Sequence, residues 1–227
     1  MTKRYSAVLM DADETLFDFT RAEFFALEAS FRAYSLDPSP ATIALYDEIN
    51  RALWRKFERG EIAQEVLKVQ RFERLFTELG VSVPAAAFSE AYIETLGRGA
   101  FLIPGAEELC AYLAAKYPLA LVTNGLAKVQ RPRFEASSIR RHFRALVISE
   151  EVGIAKPAPE IFWRACEALG SDAKDCIMIG DSLASDIAGA AGCDMDSCWV
   201  NLRGAVNDTG IEPTFEVRSL AEIREIL

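Results

Sequence analysis

Histidine is almost missing from this 227-residue chain: the only one is His142, with no serine or cysteine motif near it. It reads as a surface residue. A histidine-dependent triad is thereby excluded, and acid–base chemistry must fall to carboxylates or lysine. Cysteine is sparse as well. The five present (Cys110, Cys166, Cys176, Cys193, Cys198) are odd in number and lack metal-ligand spacing. They read as reduced, mostly buried thiols of a cytoplasmic protein. No apolar run approaches the length of a bilayer-spanning helix. Met1–Arg4 leads straight toward a first strand without a signal peptide's apolar stretch, so neither a membrane partner nor a secretory leader is expected. Positive charge is in deficit, with 25 Lys and Arg against 34 Asp and Glu for a net charge of −9. Binding to nucleic acid, which depends on neutralising its backbone, is not expected. A small phosphate can still be held where a metal and a few local cations reverse the field.

What remains is an ordinary globular composition, 51% hydrophobic and 26% charged, long enough for one sizeable domain or for one domain carrying a smaller insert. Short apolar runs predict strands at Ser6–Met10, Leu119–Thr123, Ala145–Ser149, Cys176–Gly180, Cys198–Asn201 and Phe215–Val217. Most alternate with helical patterns, which predicts an α/β fold with a Rossmann-like parallel sheet. Helices are expected after Pro104, from about Pro159 to Gly170, and after a Ser219/Glu222 capping box. Pro132 predicts a late start or a kink in the helix after the second strand. Between Phe17 and Phe101 the strand signal disappears. A Thr20/Glu23 capping box precedes Phe24, Leu27, Phe31 and Tyr34; three further amphipathic segments follow, opening near Ser39-Pro40, ending at Gly80, and following Pro84. The expectation is a Rossmann-like core of residues 1–16 and 102–227 with a four-helix-bundle cap of residues 17–101 inserted after the first strand, a position that suits a lid.

The chemistry begins at Asp11-Ala12-Asp13-Glu14-Thr15-Leu16, where two carboxylates leave a strand end two positions apart. Their mutual repulsion raises each other's pKa, and a hard cation such as Mg²⁺ resolves it. One aspartate can then be a nucleophile and the other a proton carrier. The hexapeptide alone fits an Asp N-cap before a helix equally well. Thr123-Asn124-Gly125 ends the second strand in a hydroxyl and a glycine-permitted turn, which suits a phosphate cradle or an ordinary strand-to-helix turn. Lys156-Pro157 puts a lysine in backbone biased toward extended geometry, where it can neutralise anions or simply face water. Gly180-Asp181-Ser182 adds a carboxylate at another strand end, and Asp186 is either a further ligand or a residue favouring a helix N-terminus.

The ordered set Asp-x-Asp-x-Thr-Leu, Thr-Asn-Gly, Lys-Pro and Gly-Asp-Ser-x₃-Asp resembles the haloacid dehalogenase superfamily across essentially the whole chain. The resemblance implies a Rossmann-like core with a helical cap, Asp11 as a nucleophile forming an aspartyl-phosphate, and Asp13 as the acid–base residue. It further implies Thr123, the Asn124–Gly125 backbone and Lys156 around the phosphoryl group. Mg²⁺ would be bound by Asp11, the Asp13 carbonyl and Asp181, with Asp186 supporting. Dehalogenases of the superfamily lack the second motif aspartate, so Asp13 favours phosphoryl transfer.

Three blocks narrow the resemblance to bacterial pyrimidine 5′-nucleotidases: Met10 to Phe17, the cap pattern Asn50-x₂-Leu53-Trp54 with Arg71-Phe72, and Val147 to Pro157. Met10, Pro132 and an Arg203-Gly204 loop depart from that pattern. The subgroup implies hydrolysis of UMP, dUMP or dTMP. Asn50, Trp54 and Arg71 are the candidate substrate contacts in the cap, although an aromatic at helical spacing is more often bundle core. The alternatives are a phosphatase for another small ester, such as a sugar phosphate or phosphoglycolate, and a non-catalytic phosphate-binding regulator. The expected partner is a small phosphorylated metabolite, and the expected assembly a monomer or homodimer.

Overall fold

Six short apolar runs form one parallel sheet in a computed structural model that describes residues 5–227; Met1–Arg4 lie outside the described residues. The chain divides into two compact units, Met1–Thr20 with Ala100–Leu227, and Arg21–Gly99.

The first unit starts with β1 (Ala7–Met10), and the second unit intervenes before α5 (Ala106–Ala114), β2 (Leu119–Thr123), α6 (Ala127–Ala136) and β3 (Ala145–Ile148). There follow α7 (Ser149–Val152), α8 (Pro159–Leu169), β4 (Cys176–Gly180), α9 (Ala188–Ala191), β5 (Asp196–Val200), β6 (Phe215–Val217) and α10 (Ile223–Ile226). The strand order is β3-β2-β1-β4-β5-β6, with every pairing parallel. Chain order reverses at β1, and the crevice at the carboxyl ends beside such a switch point is where α/β folds bind ligands. Both faces of β1 are buried because helices cover both sides of the sheet. Val8 and Met10 pack with Leu109, Leu113, Phe134 and Ile223; Ala7 and Leu9 pack with Ile161, Phe162 and Met178.

The second unit holds most of α1 (Phe19–Ala33), together with α2 (Pro40–Glu58), α3 (Gln64–Leu79) and α4 (Ala85–Leu96). Ser39 caps α2 by accepting from the Thr42 N–H, and Gly80 ends α3 in the left-handed region that favours glycine. Phe72 is the centre of its aromatic core, 4.8 Å from Phe88, 5.2 Å from Tyr92 and 5.6 Å from Tyr46 between ring centroids.

Several local expectations yield to tertiary structure. Thr20 and Glu23 do not form a capping box: α1 begins at Phe19, and Glu14 Oε1 takes both the Thr20 N–H and its hydroxyl, at 2.8 Å each. Glu23 instead accepts from Tyr46, Tyr92 and Asn50. Phe24 is exposed, since α1 buries Ala22, Ala26, Leu27, Ser30 and Phe31. α6 starts at Ala127 and runs through Pro132, so the proline neither delays nor ends it. β5 begins at Asp196, two residues before the expected start, because the Ile177–Asp196 pairing continues the ladder with β4. Ser219 donates to Glu222 and Glu222 accepts from the Arg218 N–H, holding the turn that precedes α10.

Candidate active site

β1 carries Asp11 to the carboxyl edge of the sheet, where its N–H bonds Ile179 O of β4 at 2.9 Å. The chain then turns sharply. Leu16 and Phe17 both donate to Ala12 O, and Glu14 takes a positive φ of 59°. Asp11 is buried, and Oδ1 accepts from Lys156 Nζ at 2.5 Å. That ammonium also donates to Asp186 Oδ1 at 2.7 Å and to Val122 O at 2.9 Å, so its three N–H groups are all committed. Lys156 does not face water. It lies in a turn closed by the Ala158 N–H on Ala155 O at 3.0 Å, and the Lys156–Pro157 peptide is cis. Asn124, the residue after β2, fixes this turn, donating to Lys156 O at 2.8 Å and accepting from the Lys156 N–H at 2.7 Å. Thr123 is buried beside it. Its hydroxyl oxygen accepts the Gly125 N–H at 3.1 Å and keeps its own proton to donate.

Carboxylate oxygens of Asp11, Asp181 and Asp186 lie within 4.8 Å of one another. Asp181 follows β4, and Trp199 Nε1 anchors its carbonyl at 2.8 Å. Asp186 is wholly buried on a π-helical turn, Leu183–Ile187, rather than in a regular first turn, and its Oδ2 accepts the Ser182 N–H at 3.0 Å. Gly180 makes room for it: a Cβ there would lie 2.3 Å from Asp186 Oδ2. Gly180→Ala should therefore destabilise the protein by about 1–3 kcal/mol, read as a lowered midpoint in thermal unfolding. An unchanged midpoint would mean that Asp186 shifts at no cost.

The electrostatics follow from crowding. Burial pushes the Asp11 carboxyl up to about 7; Asp186 and Asp13 add to the rise while Lys156 opposes it. Asp181 is held well above the carboxylate range by burial and then by Asp11 and Asp186. Burial alone would depress the Lys156 ammonium, yet Asp11 and Asp186 keep it above its ordinary value.

Asp13 has different neighbours. Its Oδ1 pairs with Arg133 Nη2 and its Oδ2 accepts from Gln130 Nε2 at 2.6 Å, both from α6. Neither residue stands out in the sequence, where α6 reads as a polar helix.

In the second unit, Asn50 and Arg71 meet in a buried polar network, whereas Trp54 is half-buried and meets Phe57 edge-on. Arg71 Nη1 donates to Tyr46 Oη at 3.2 Å and Asn50 Oδ1 at 3.4 Å, and the guanidinium lies over the Phe72 and Tyr92 rings. Among the described residues, its Nε and Nη2 have no hydrogen-bond partner. Glu23 is raised by burial despite Arg71 and the two tyrosine hydroxyls.

A haloacid dehalogenase-like hydrolase profile matches residues 5–194. The chain belongs to that family. Its relatives include YfnB of Bacillus subtilis, a HAD hydrolase by name, 35% identical over 226 residues that make up 99% of this chain and 96% of YfnB. A crystal structure of YfnB bound to magnesium matches with a TM-score of 0.94 over 99% of each chain. The pyrimidine 5′-nucleotidase YjjG of Escherichia coli is 34% identical, covering 99% of this chain and 98% of its own. PynA of Streptococcus pneumoniae, also named a pyrimidine 5′-nucleotidase, is 30% identical over 98% of this chain and 95% of its own. HAD hydrolases typically use Mg²⁺, and the donors here suit it. Asp11, Asp181 and Asp186 are hard oxygen ligands balanced by a single lysine, an anionic excess that a small divalent cation would neutralise. No helix is long and apolar enough to cross a membrane among the described residues.

Proposed function

We propose that this HAD hydrolase is a Mg²⁺-dependent phosphomonoesterase that dephosphorylates pyrimidine nucleoside monophosphates through an aspartyl-phosphate on Asp11. The observation that carries the reading is a second carboxylate, Asp13, two residues beyond the buried Asp11 and engaged by its own partners apart from the Asp11–Asp181–Asp186 cluster. Attack and proton transfer thus have separate groups.

In the first half-reaction, Asp11 forms a bond to phosphorus as the ester P–O bond breaks, and Asp13 gives its proton to the leaving oxygen. In the second, water attacks phosphorus and gives a proton to Asp13, while the Asp11–phosphorus bond breaks and inorganic phosphate leaves. Thr123 donates a hydrogen bond from its hydroxyl to the phosphoryl group, and the Asn124 and Gly125 backbone shapes the turn around it. Lys156 neutralises charge on both the nucleophile and the phosphoryl group. Asp11, Asp181 and Asp186, with the Asp13 carbonyl, would hold Mg²⁺, which supplies screening of the transferring group's charge.

Phosphate-binding groups cannot tell one ester from another, so we assign discrimination largely to the inserted helical unit, acting as a cap. Asn50, Arg71 and Trp54 are the proposed contacts. Arg71 supports this by its spare buried donors, and the names of YjjG and PynA support the pyrimidine preference. Free, buried cysteines support a reducing, cytoplasmic setting. A small phosphorylated metabolite is the proposed partner of a monomer or homodimer.

A panel of phosphate esters assayed with Mg²⁺ tests the reading. UMP, dUMP and dTMP are expected to exceed purine monophosphates and sugar phosphates by at least about tenfold in kcat/KM. Substitutions at Asn50, Trp54 or Arg71 should raise KM for nucleotides more than for a small generic ester. A panel led by a sugar phosphate or phosphoglycolate would reject the nucleotidase assignment. Phosphate binding without release would point to a regulator.

A further inference from the structure

We propose that Gln130 and Arg133 are positioning residues that clamp the Asp13 carboxylate in the orientation from which it serves the leaving oxygen. The proposal rests on the phosphatase reading above and adds to it two residues of α6 that contact the Asp13 carboxylate itself. Its basis is the arrangement of α6. Gln130 and Arg133 are three residues apart, so they share one helix face, and they take one Asp13 oxygen each. A carboxylate held at both oxygens cannot rotate freely about its side-chain bonds, whereas the Asp13 side chain is itself 27% exposed on a tight turn.

The surroundings are built for this contact. Arg133 is completely buried, yet among the described residues its Nε and Nη1 have no hydrogen-bond partner. Its guanidinium lies 4.8 Å from the Phe17 ring centroid and 5.9 Å from that of Phe19. A buried guanidinium with two unmet nitrogens is a costly way to fill a core. Among the described residues its one ion pair is with Asp13. The ring faces hold the charge in place without competing for the carboxylate. Gln130 is equally specific. It is buried, and a Cβ on Gly125 would lie 2.2 Å from its Nε2, so the glycine in the phosphate-binding turn also clears the path to Asp13. The unbroken helix through Pro132 keeps positions 130 and 133 in register.

The test exploits the leaving group. A phenolate such as p-nitrophenolate departs without a proton, whereas the alkoxide of a nucleotide needs one, and kcat/KM covers the steps through leaving-group departure. Arg133→Met should lower kcat/KM for UMP by roughly 100-fold but for p-nitrophenyl phosphate by less than about tenfold. In an Asp13→Asn background the same substitution should add no more than about twofold, because residues acting as a unit are non-additive. Arg133→Lys should recover part of the loss on UMP. Gln130→Met keeps the test alive if the arginine variants fail to fold, with a smaller loss again concentrated on UMP. Equal losses on the two esters, or a loss that multiplies fully with Asp13→Asn, would overturn the positioning role. Wild-type protein that hydrolysed neither ester would instead remove the phosphatase reading. The contact itself would then be decided by a thermal-unfolding cycle of Asp13→Asn and Arg133→Met, in which simple additivity overturns the clamp.

Discussion

Asp11→Asn is expected to lower turnover of the preferred phosphate ester by at least about 10³-fold while leaving a folded protein. The amide keeps the shape of the side chain, and its oxygen can still accept from Lys156, but it cannot attack phosphorus. Stability should hold or rise in metal-free protein. Asp11 is buried, and burial pushes its carboxyl up to about 7, which means that ionising it in the fold is unfavourable. The substitution removes one of three crowded carboxylates that share a single ammonium. Lys156 retains Asp186 and the Val122 carbonyl. Initial rates beside thermal melts would separate the two effects. A rate within tenfold of wild type would remove the covalent route. A collapsed melt would show that the Asp11–Lys156 pair is chiefly structural.

The parts of this site that sit at strand ends were legible in the sequence, because an apolar run followed by a polar break fixes both a strand and what leaves it. β2, β4 and β6 fall on the runs Leu119–Thr123, Cys176–Gly180 and Phe215–Val217. Asp11, Thr123 and Asp181 follow from those ends directly. Residues whose role depends on long-range partners were less visible. Glu23 has the spacing of a helix cap but meets two tyrosine hydroxyls and Asn50 instead. Lys156 carries no mark in the chain that distinguishes a surface lysine from one buried against two carboxylates. Asp186 reaches the cluster through a π-helical turn and an adjacent missing Cβ, neither of which periodicity records. Arg133 is the extreme case. It sits in a helix rich in Lys128, Gln130, Arg131 and Arg133, where a polar pattern ordinarily means solvent exposure. Only the aromatic faces of Phe17 and Phe19 and the carboxylate of Asp13, more than a hundred positions away, explain its burial.

Metal should both switch on the reaction and change how stability depends on pH. Exhaustive chelation is expected to abolish turnover and Mg²⁺ to restore it, since three crowded carboxylates, two of them buried, facing one lysine leave negative charge that opposes a phosphate ester. Ca²⁺ should inhibit, because its longer bonds and looser geometry displace the nucleophile. For the metal-free protein the sign runs toward acid. The Asp11 carboxyl lies at about 7 in the fold against an ordinary 3.8, and Asp181 is also raised. Between about pH 4 and pH 7 the folded state therefore holds protons that the unfolded state has lost. Stability should increase as pH falls through 7, by up to about 1.4 kcal/mol per pH unit for each proton taken up, levelling off near the unfolded value. Mg²⁺ needs the same groups ionised, so its binding releases protons and weakens below about pH 7. The rise in unfolding midpoint on adding Mg²⁺ should thus be large at pH 8 and small at pH 5.5. Thermal melts with and without Mg²⁺ across that range provide the measurement. A midpoint gain independent of pH would show that the metal does not bind through Asp11 and Asp181, and full activity after chelation would show that the reaction does not need it.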